Sequence, residues 1–313
     1  MSSSPPPARL VIVNGKTAEE PEVQAALGLL AVSDGPTLVR VTREPGDARA
    51  FSREAARRRI ERLIAFGGDG TLNEVVSGLV PPALEEPFAG VLGIVPTGTA
   101  NDFATCAGIP TGSPSDVVRE LLDYAPRKID LGRVSGAIEA TFVNVATAGF
   151  GAEASSEASE ELKAVLGKVS YLVAGLASAG DLEPREATIV APDFDRRLAF
   201  YLLAIGNARC AGGGMPVCPD ADPTDGLLDV TIVPEGTVGA TAAEIVRKGL
   251  EGVGDAGIRF RTPWLEIRAD APLQINLDGE PASGREFRFE VRPDMLRVLL
   301  PLDSPLLAPR EAD

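Results

Sequence analysis

The chain has 313 residues, 44% hydrophobic and 24% charged, a composition that fits a soluble globular protein with room for two domains, each with its own core. A formal net charge of −15 argues against nucleic-acid binding and against strong attraction to anionic membrane surfaces. There is no histidine, which excludes His-based triads, His-ligated zinc and imidazole bases, so proton transfer near neutral pH falls to a carboxylate, Lys, Cys or Tyr.

The first eight residues are Ser/Pro-rich without an apolar signal-peptide core, and they read as a disordered tip on a cytoplasmic protein. Residues 10–13 form an apolar first strand, followed by Asn14-Gly15-Lys16. A helix is predicted over 21–30, with Pro21 in its first turn. Residues 37–42 alternate and are β-branched, giving a second strand, and 47–59 has helical composition. Arg53, Arg57, Arg58, Arg59 and Arg62 make the one basic cluster, read as a solvated helix face. A third strand over 62–66 runs into Gly67-Gly68-Asp69-Gly70-Thr71-Leu72-Asn73-Glu74. A strand, a glycine turn and a helix N-terminus hold phosphate through backbone N–H groups. The spacing of Thr71 and Glu74 predicts a capping box. Asp69 is an anion at a proposed anion site, which makes sense if Mg²⁺ accompanies the phosphates. A fourth strand over 91–95 leads to Thr97-Gly98-Thr99-Ala100-Asn101-Asp102. Asn101 and Asp102 serve either as ligands or as caps for the helix that follows. Another helix is predicted over 116–124. Alternating strands and helices imply a parallel sheet, with ligands at the carboxyl ends of its strands, where Asn14, Thr42, Gly68 to Glu74 and Thr97 to Asp102 converge.

After about residue 131 the pattern changes. Antiparallel strands are expected over 129–134 and 140–145, and a long helix over 157–179. Further strands are expected over 186–190, 197–205, 227–233, 264–269, 273–277, 287–291 and 296–300, with a helix over 241–250. Short strands with Gly/Asp/Pro turns predict a sandwich. The expected domains are 1–134 and 135–300; whether the tail 301–313 packs back on the first is left open. No apolar run reaches the roughly 20 residues of a membrane span. Cys106, Cys210 and Cys218 lack metal-ligand spacing. Asp220, Asp222 and Asp225 form either a solvated acidic turn or a hard-cation site. Asp278-Gly279 before Glu280 is a strong hairpin signal. Asn144 and Asn207 read as ordinary strand-end residues.

The run Gly67 to Glu74 and the run Thr99-Ala100-Asn101-Asp102-Phe103-Ala104 together resemble the diacylglycerol kinase catalytic domain. Gly149-Phe150-Gly151, Gly206-Asn207, Gly212-Gly213-Gly214-Met215, Cys218-Pro219-Asp220, Asp225-Gly226-Leu227-Leu228 and Asn276-Leu277-Asp278-Gly279-Glu280-Pro281 resemble the bacterial YegS-type soluble lipid kinases. The resemblance implies an α/β phosphofructokinase-like N-terminal domain and a C-terminal β-sandwich, with the active site in the interdomain cleft. It implies ATP contacts at Thr42, Gly68, Asp69, Gly70, Thr71, Leu72, Asn73, Glu74 and Thr99. It places a magnesium ion at Asp222, Asp225 and Leu227, by backbone carbonyls at Asp222 and Leu227, and makes Glu280 the proton acceptor. The family's Asn-Pro-x-Ser-Gly turn is Asn14-Gly15-Lys16 here, a departure shared by YegS-type members. The implied activity is Mg²⁺-assisted transfer from ATP to a lipid hydroxyl, phosphatidylglycerol or diacylglycerol, during transient contact with the inner membrane leaflet. Two alternatives remain: a kinase of a soluble acceptor such as NAD, and a non-catalytic nucleotide- or lipid-binding module.

Overall fold

The computed structural model describes residues 9–33, 36–149, 183–236 and 257–307. Close contacts divide the chain into two compact units, Met1–Ile129 with Asp294–Asp313, and Asp130–Pro293.

In the first unit β1 (Arg9–Val13), α1 (Pro21–Val32), β2 (Thr37–Val41), α2 (Asp47–Arg57), β3 (Arg62–Gly67), α3 (Asp69–Leu79), β4 (Val91–Pro96), α4 (Asp102–Cys106) and α5 (Pro114–Leu121) follow one another. The four strands pair in parallel in the order β2-β1-β3-β4. Every residue of β1 is buried, as a parallel strand covered on both faces requires. Right-handed crossovers put α1 on one face and α2 and α3 on the other, because the chain reverses direction across the sheet after β2. The contacts agree, since α1 packs with α5 and α2 with α3. The reversal opens the crevice between β1 and β3, where such sheets bind ligands. Helices α2 and α3 touch closely because Gly78 has no Cβ; one would collide with Ser52 Oγ. The basic cluster along and after α2 is exposed, and Arg58 pairs with Glu54 at 2.9 Å in solvent. The returning segment joins this unit: Val298 pairs with Leu92, and Ser304 Oγ donates to the Ala107 carbonyl at 2.7 Å.

The second unit is antiparallel. Its strands are β5 (Ala125–Gly136, which begins in the first unit), β6 (Ala140–Phe142), β7 (Val145–Gly149), β8 (Arg185–Ala191), β9 (Phe194–Gly206), β10 (Cys210–Ala211), β11 (Met215–Pro216), β12 (Leu228–Pro234), β13 (Ile258–Thr262), β14 (Trp264–Leu277) and β15 (Glu280–Leu300, which ends in the first unit). Long strands β9 and β14 each pair with β8 near one end and with β7 near the other. Their inward side chains share one apolar core that includes Phe142, Phe200, Phe287 and Phe289, with the Phe142 and Phe289 rings edge to face at 6.1 Å.

Several expected elements change. The runs 264–269 and 273–277 are one strand crossing an irregularity between Arg268 and Leu273, and 287–291 and 296–300 both belong to β15. Strand β13 was not expected, although Ile258-Arg259-Phe260-Arg261 has the period of two that marks a half-buried strand. The helices expected over 157–179 and 241–250 lie outside the described residues.

Candidate active site

Four polar turns meet at the carboxyl edge of the first sheet. After β1, Asn14 N–H donates to the Phe66 carbonyl at 2.9 Å, and Asn14 Nδ2 donates to Thr71 Oγ1 at 2.9 Å. Gly15 N–H donates to Thr42 Oγ1 at 3.0 Å, which fixes the end of β2. The Thr17 and Thr97 hydroxyls stand 3.2 Å apart, linking the turns after β1 and β4. The turns after β3 and β4 meet backbone to backbone: a Cβ on Gly68 would lie 2.9 Å from Gly98 Cα. Asn101, a non-glycine residue at φ 52°, accepts the Gly98 N–H at 3.1 Å and donates back to the Gly98 carbonyl at 2.7 Å. It is therefore the clamp of the 97–99 turn, and its side chain does not cap α4. Thr99 and Gly70 remain exposed on this edge.

The predicted capping box does not form. Helix α3 starts at Asp69, with Gly68 as its N-cap and no side-chain cap bond. Thr71 is thus already inside the helix, buried and bonded to Asn14. The Glu74 carboxylate reaches away from its own helix and accepts Gly46 N–H at 2.8 Å and Arg49 N–H at 3.4 Å, at the start of α2. Leu72 and Asn73 are buried. Among the residues expected to meet ATP, Gly68, Asp69, Gly70, Thr71, Thr42 and Thr99 therefore sit on the turn edge. Leu72, Asn73 and Glu74 contribute to the packing of α3.

Burial and the nearby Asp102 carboxylate push the Asp69 carboxyl up to about 6, against the backbone N–H groups of Phe103 and Asp102 that favour its charge. Two half-buried or buried carboxylates at close range are a hard oxygen donor set, and magnesium needs only one or two such ligands besides water. Asp69 with Asp102 therefore fits Mg²⁺ chemically. Among the described residues no three Asp, Glu, His or Cys side chains gather as a metal cage.

In the second unit, Leu277 and Glu280 face each other across a two-residue turn. Asp278 at φ 49° and Gly279 at φ 99° give the left-handed pair of a type I′ hairpin. Glu280 is exposed at the first position of β15. Asp278 has a role the sequence did not reveal: its carboxylate accepts the N–H groups of Val143, Asn144 and Val145 at 2.7, 3.0 and 3.0 Å. Asn276 Oδ1 accepts Gly279 N–H at 2.8 Å. Asn144 and Asn207 are also more than strand ends. Both are buried; Asn144 Nδ2 donates to the Cys210 carbonyl at 2.5 Å, and Asn207 Nδ2 donates to the carbonyls of Val143 and Asp130.

The acidic loop is tied by its own bonds. Asp222 Oδ1 accepts the Thr224 N–H and hydroxyl at 3.0 and 2.6 Å. Asp225 Oδ1 accepts Leu227 N–H at 2.9 Å, and its Oδ2 stands 3.4 Å from Arg261 Nη1. Asp130 Oδ2 accepts the Gly226 N–H at 2.8 Å, anchoring the loop from β5.

Residues 8–134 match the family model of the diacylglycerol kinase catalytic domain, and residues 144–300 match that of the YegS C-terminal NAD kinase beta sandwich-like domain. A Pseudomonas aeruginosa protein described as "Probable lipid kinase YegS-like" is 44% identical over 309 residues, covering 96% of this chain and 98% of its own. A relative of the same description from Xanthomonas oryzae pv. oryzae is 40% identical over 301 residues, with 95% and 97% covered. A crystal structure of a diacylglycerol kinase from Bacillus anthracis str. Sterne shares the fold, with a TM-score of 0.74, 24% identity, and 94% and 97% of the two chains covered.

Gly98→Ala should force the two turns apart and cost about 1–3 kcal/mol, read as a lower melting temperature. Asp69 holds its proton to a higher pH folded than unfolded, so its contribution to stability falls as pH rises from about 4 to about 6. Asp69→Asn should therefore gain stability over the parent across that window, by about 3 kcal/mol at neutral pH, in denaturant titrations with chelator present. Asp278→Ala should cost about 2–3 kcal/mol by leaving three N–H groups unpaired, and hydrogen exchange should rise at residues 143–145.

Proposed function

The chain belongs to the diacylglycerol kinase catalytic-domain family in its YegS-like form, and from that premise we propose that it transfers the γ-phosphoryl group of ATP to a lipid hydroxyl, on phosphatidylglycerol or a diacylglycerol. The observation that carries this reading is the joined turn edge of the first sheet, with Asp69 beside Asp102 on it. Phosphoryl transfer asks a protein mainly for positioning and charge neutralisation. The N–H groups of Gly68 to Thr71, at the start of α3, are suited to hold phosphate oxygens, and the Thr99 and Thr42 hydroxyls border the same edge.

Asp69, with Asp102 beside it, would hold Mg²⁺. The ion supplies neutralisation of the charge spread over the transferring phosphoryl oxygens. Asp69 must be ionised for this, and burial together with Asp102 makes that charge costly without a cation. A second ion, held by Asp225 with the backbone carbonyls of Asp222 and Leu227, would be structural and would shape the Gly212 to Gly214 loop. Glu280 takes the proton of the attacking lipid hydroxyl. The new bond joins that oxygen to the γ-phosphorus, the bond to the bridging oxygen breaks, and ADP leaves. Its exposed position on a tight hairpin suits a base that must meet an incoming substrate. No helix among the described residues is long and apolar enough to cross a membrane, so the lipid would be met by transient contact at the inner leaflet.

The second unit's match to an NAD kinase beta sandwich-like model keeps a soluble dinucleotide as the second acceptor reading. Incubation with γ-labelled ATP and phosphatidylglycerol, diacylglycerol, NAD or no acceptor separates the readings. Label is expected in a lipid product; label in NAD alone supports the second reading, and no transfer to any acceptor leaves a binding module. Glu280→Gln should lower turnover at least about a hundredfold while ATP affinity stays within a factor of two or so. Retained turnover removes Glu280 from the mechanism.

A further inference from the structure

β2 ends the sheet of the first unit, pairing with β1 on one side and with no other described strand. Thr42 N–H donates to the Val13 carbonyl, so by the period of two the backbone groups of residues 40 and 38 also point toward β1. The N–H and C=O groups of Thr37, Val39 and Val41 point outward. Proteins guard such edges with inward-turned charges, proline, bulges or very short strands. The sequence Thr37-Leu38-Val39-Arg40-Val41 has one charge and no proline. That charge does not guard the edge: the Arg40 guanidinium lies over the Phe51 ring of α2, 5.8 Å from its centroid. Val39 and Val41 are 41% and 43% exposed, and Val32, at the end of α1, is 86% exposed.

We propose that the outer edge of β2 pairs antiparallel with the same edge of a second copy of this chain, about a two-fold axis at Val39. The strand is self-complementary in that register. Val39 meets Val39, and Thr37 meets Val41 on either side, so each outward residue exchanges both backbone bonds with its opposite number. The valines then form one stripe on one face. On the other face Leu38 meets Arg40 of the second copy. There a shallow pocket lined by Leu38, Phe51 and Ala55 offers an apolar floor to the incoming Leu38 side chain. A symmetric pairing of this kind closes on itself and covers the β2 edge of both copies.

The test uses the full chain. Sedimentation velocity at micromolar concentration should show a dimer for the parent and a monomer for Val39→Lys, which sets two like charges opposite each other on the axis. Circular dichroism of Val39→Lys should match the parent. Val39→Cys should form an inter-chain disulfide under mild oxidation, since residues exchanging both bonds have Cα atoms about 5.5 Å apart, within disulfide reach. Leu122→Cys, similarly exposed, should cross-link at least tenfold more slowly. A monomeric parent, a dimeric Val39→Lys, or a Val39→Cys no faster than Leu122→Cys overturns the proposal. If Val39→Lys fails to fold, the cross-linking comparison alone decides.

Discussion

The burial of the Asp69 carboxylate, beside a second carboxylate at Asp102, is the constraint on which the polar edge of the first unit depends. A charge removed from water costs several kcal/mol unless something compensates it. Here part of the compensation is backbone: the N–H groups of Asp102 and Phe103 face Asp69. The raised Asp69 carboxyl records what burial and Asp102 still cost it. Carboxylates perturbed in this way concentrate at functional sites. The neighbouring turns make the arrangement rigid. Gly68 and Gly98 allow the two loops to touch, and Asn101 holds the second loop closed through both polar atoms of its amide. Asn14 and Thr71 join β1 to α3, so the positions around Asp69 are set by several elements.

The second unit separates two tasks between neighbouring acids. In Asp278-Gly279-Glu280 the first carboxylate is spent on structure, accepting three backbone N–H groups from the 143–145 segment. Glu280 stays exposed on the strand that the turn begins. A side chain carried on an unanchored hairpin would sample many positions. The Asp278 bonds tie the hairpin to the segment leading into β7, which sits among the long strands of the core. The Asn144 and Asn207 amides extend the same anchoring toward Cys210 and Asp130. The local order of Glu280 thus depends on Asp278, Asn144 and Asn207.

Much of this was legible in the sequence because it rested on period and punctuation. The apolar run before Gly67 and the alternation over 37–42 each announced a strand, and four turns at the carboxyl edge followed from βα alternation alone. What was not legible depended on long-range partners. The Thr71 and Glu74 spacing fits a capping box, but the helix gains a turn by starting at Asp69, and Glu74 finds better use capping α2. Local spacing cannot show that competition, since Gly46 lies 28 residues away. Asp278 was hidden for the same reason: as half of an Asp-Gly turn it already had a sufficient local explanation. Asn144 and Asn207 were read as strand ends because nothing local shows that an amide will be buried against carbonyls from other strands.

The two kinds of failure differ in what they imply. Glu74 and Asp278 depart from their local readings in a direction that satisfies backbone N–H groups, so the fold gains by the change. Asp69 departs in the opposite direction: its position fits the local reading, a carboxylate at a helix N-terminus, and yet the finished structure leaves its charge under-compensated. The fold retains this cost at the edge where the glycine turns meet. That asymmetry, more than the glycine pattern itself, sets this edge apart from an ordinary strand-to-helix turn.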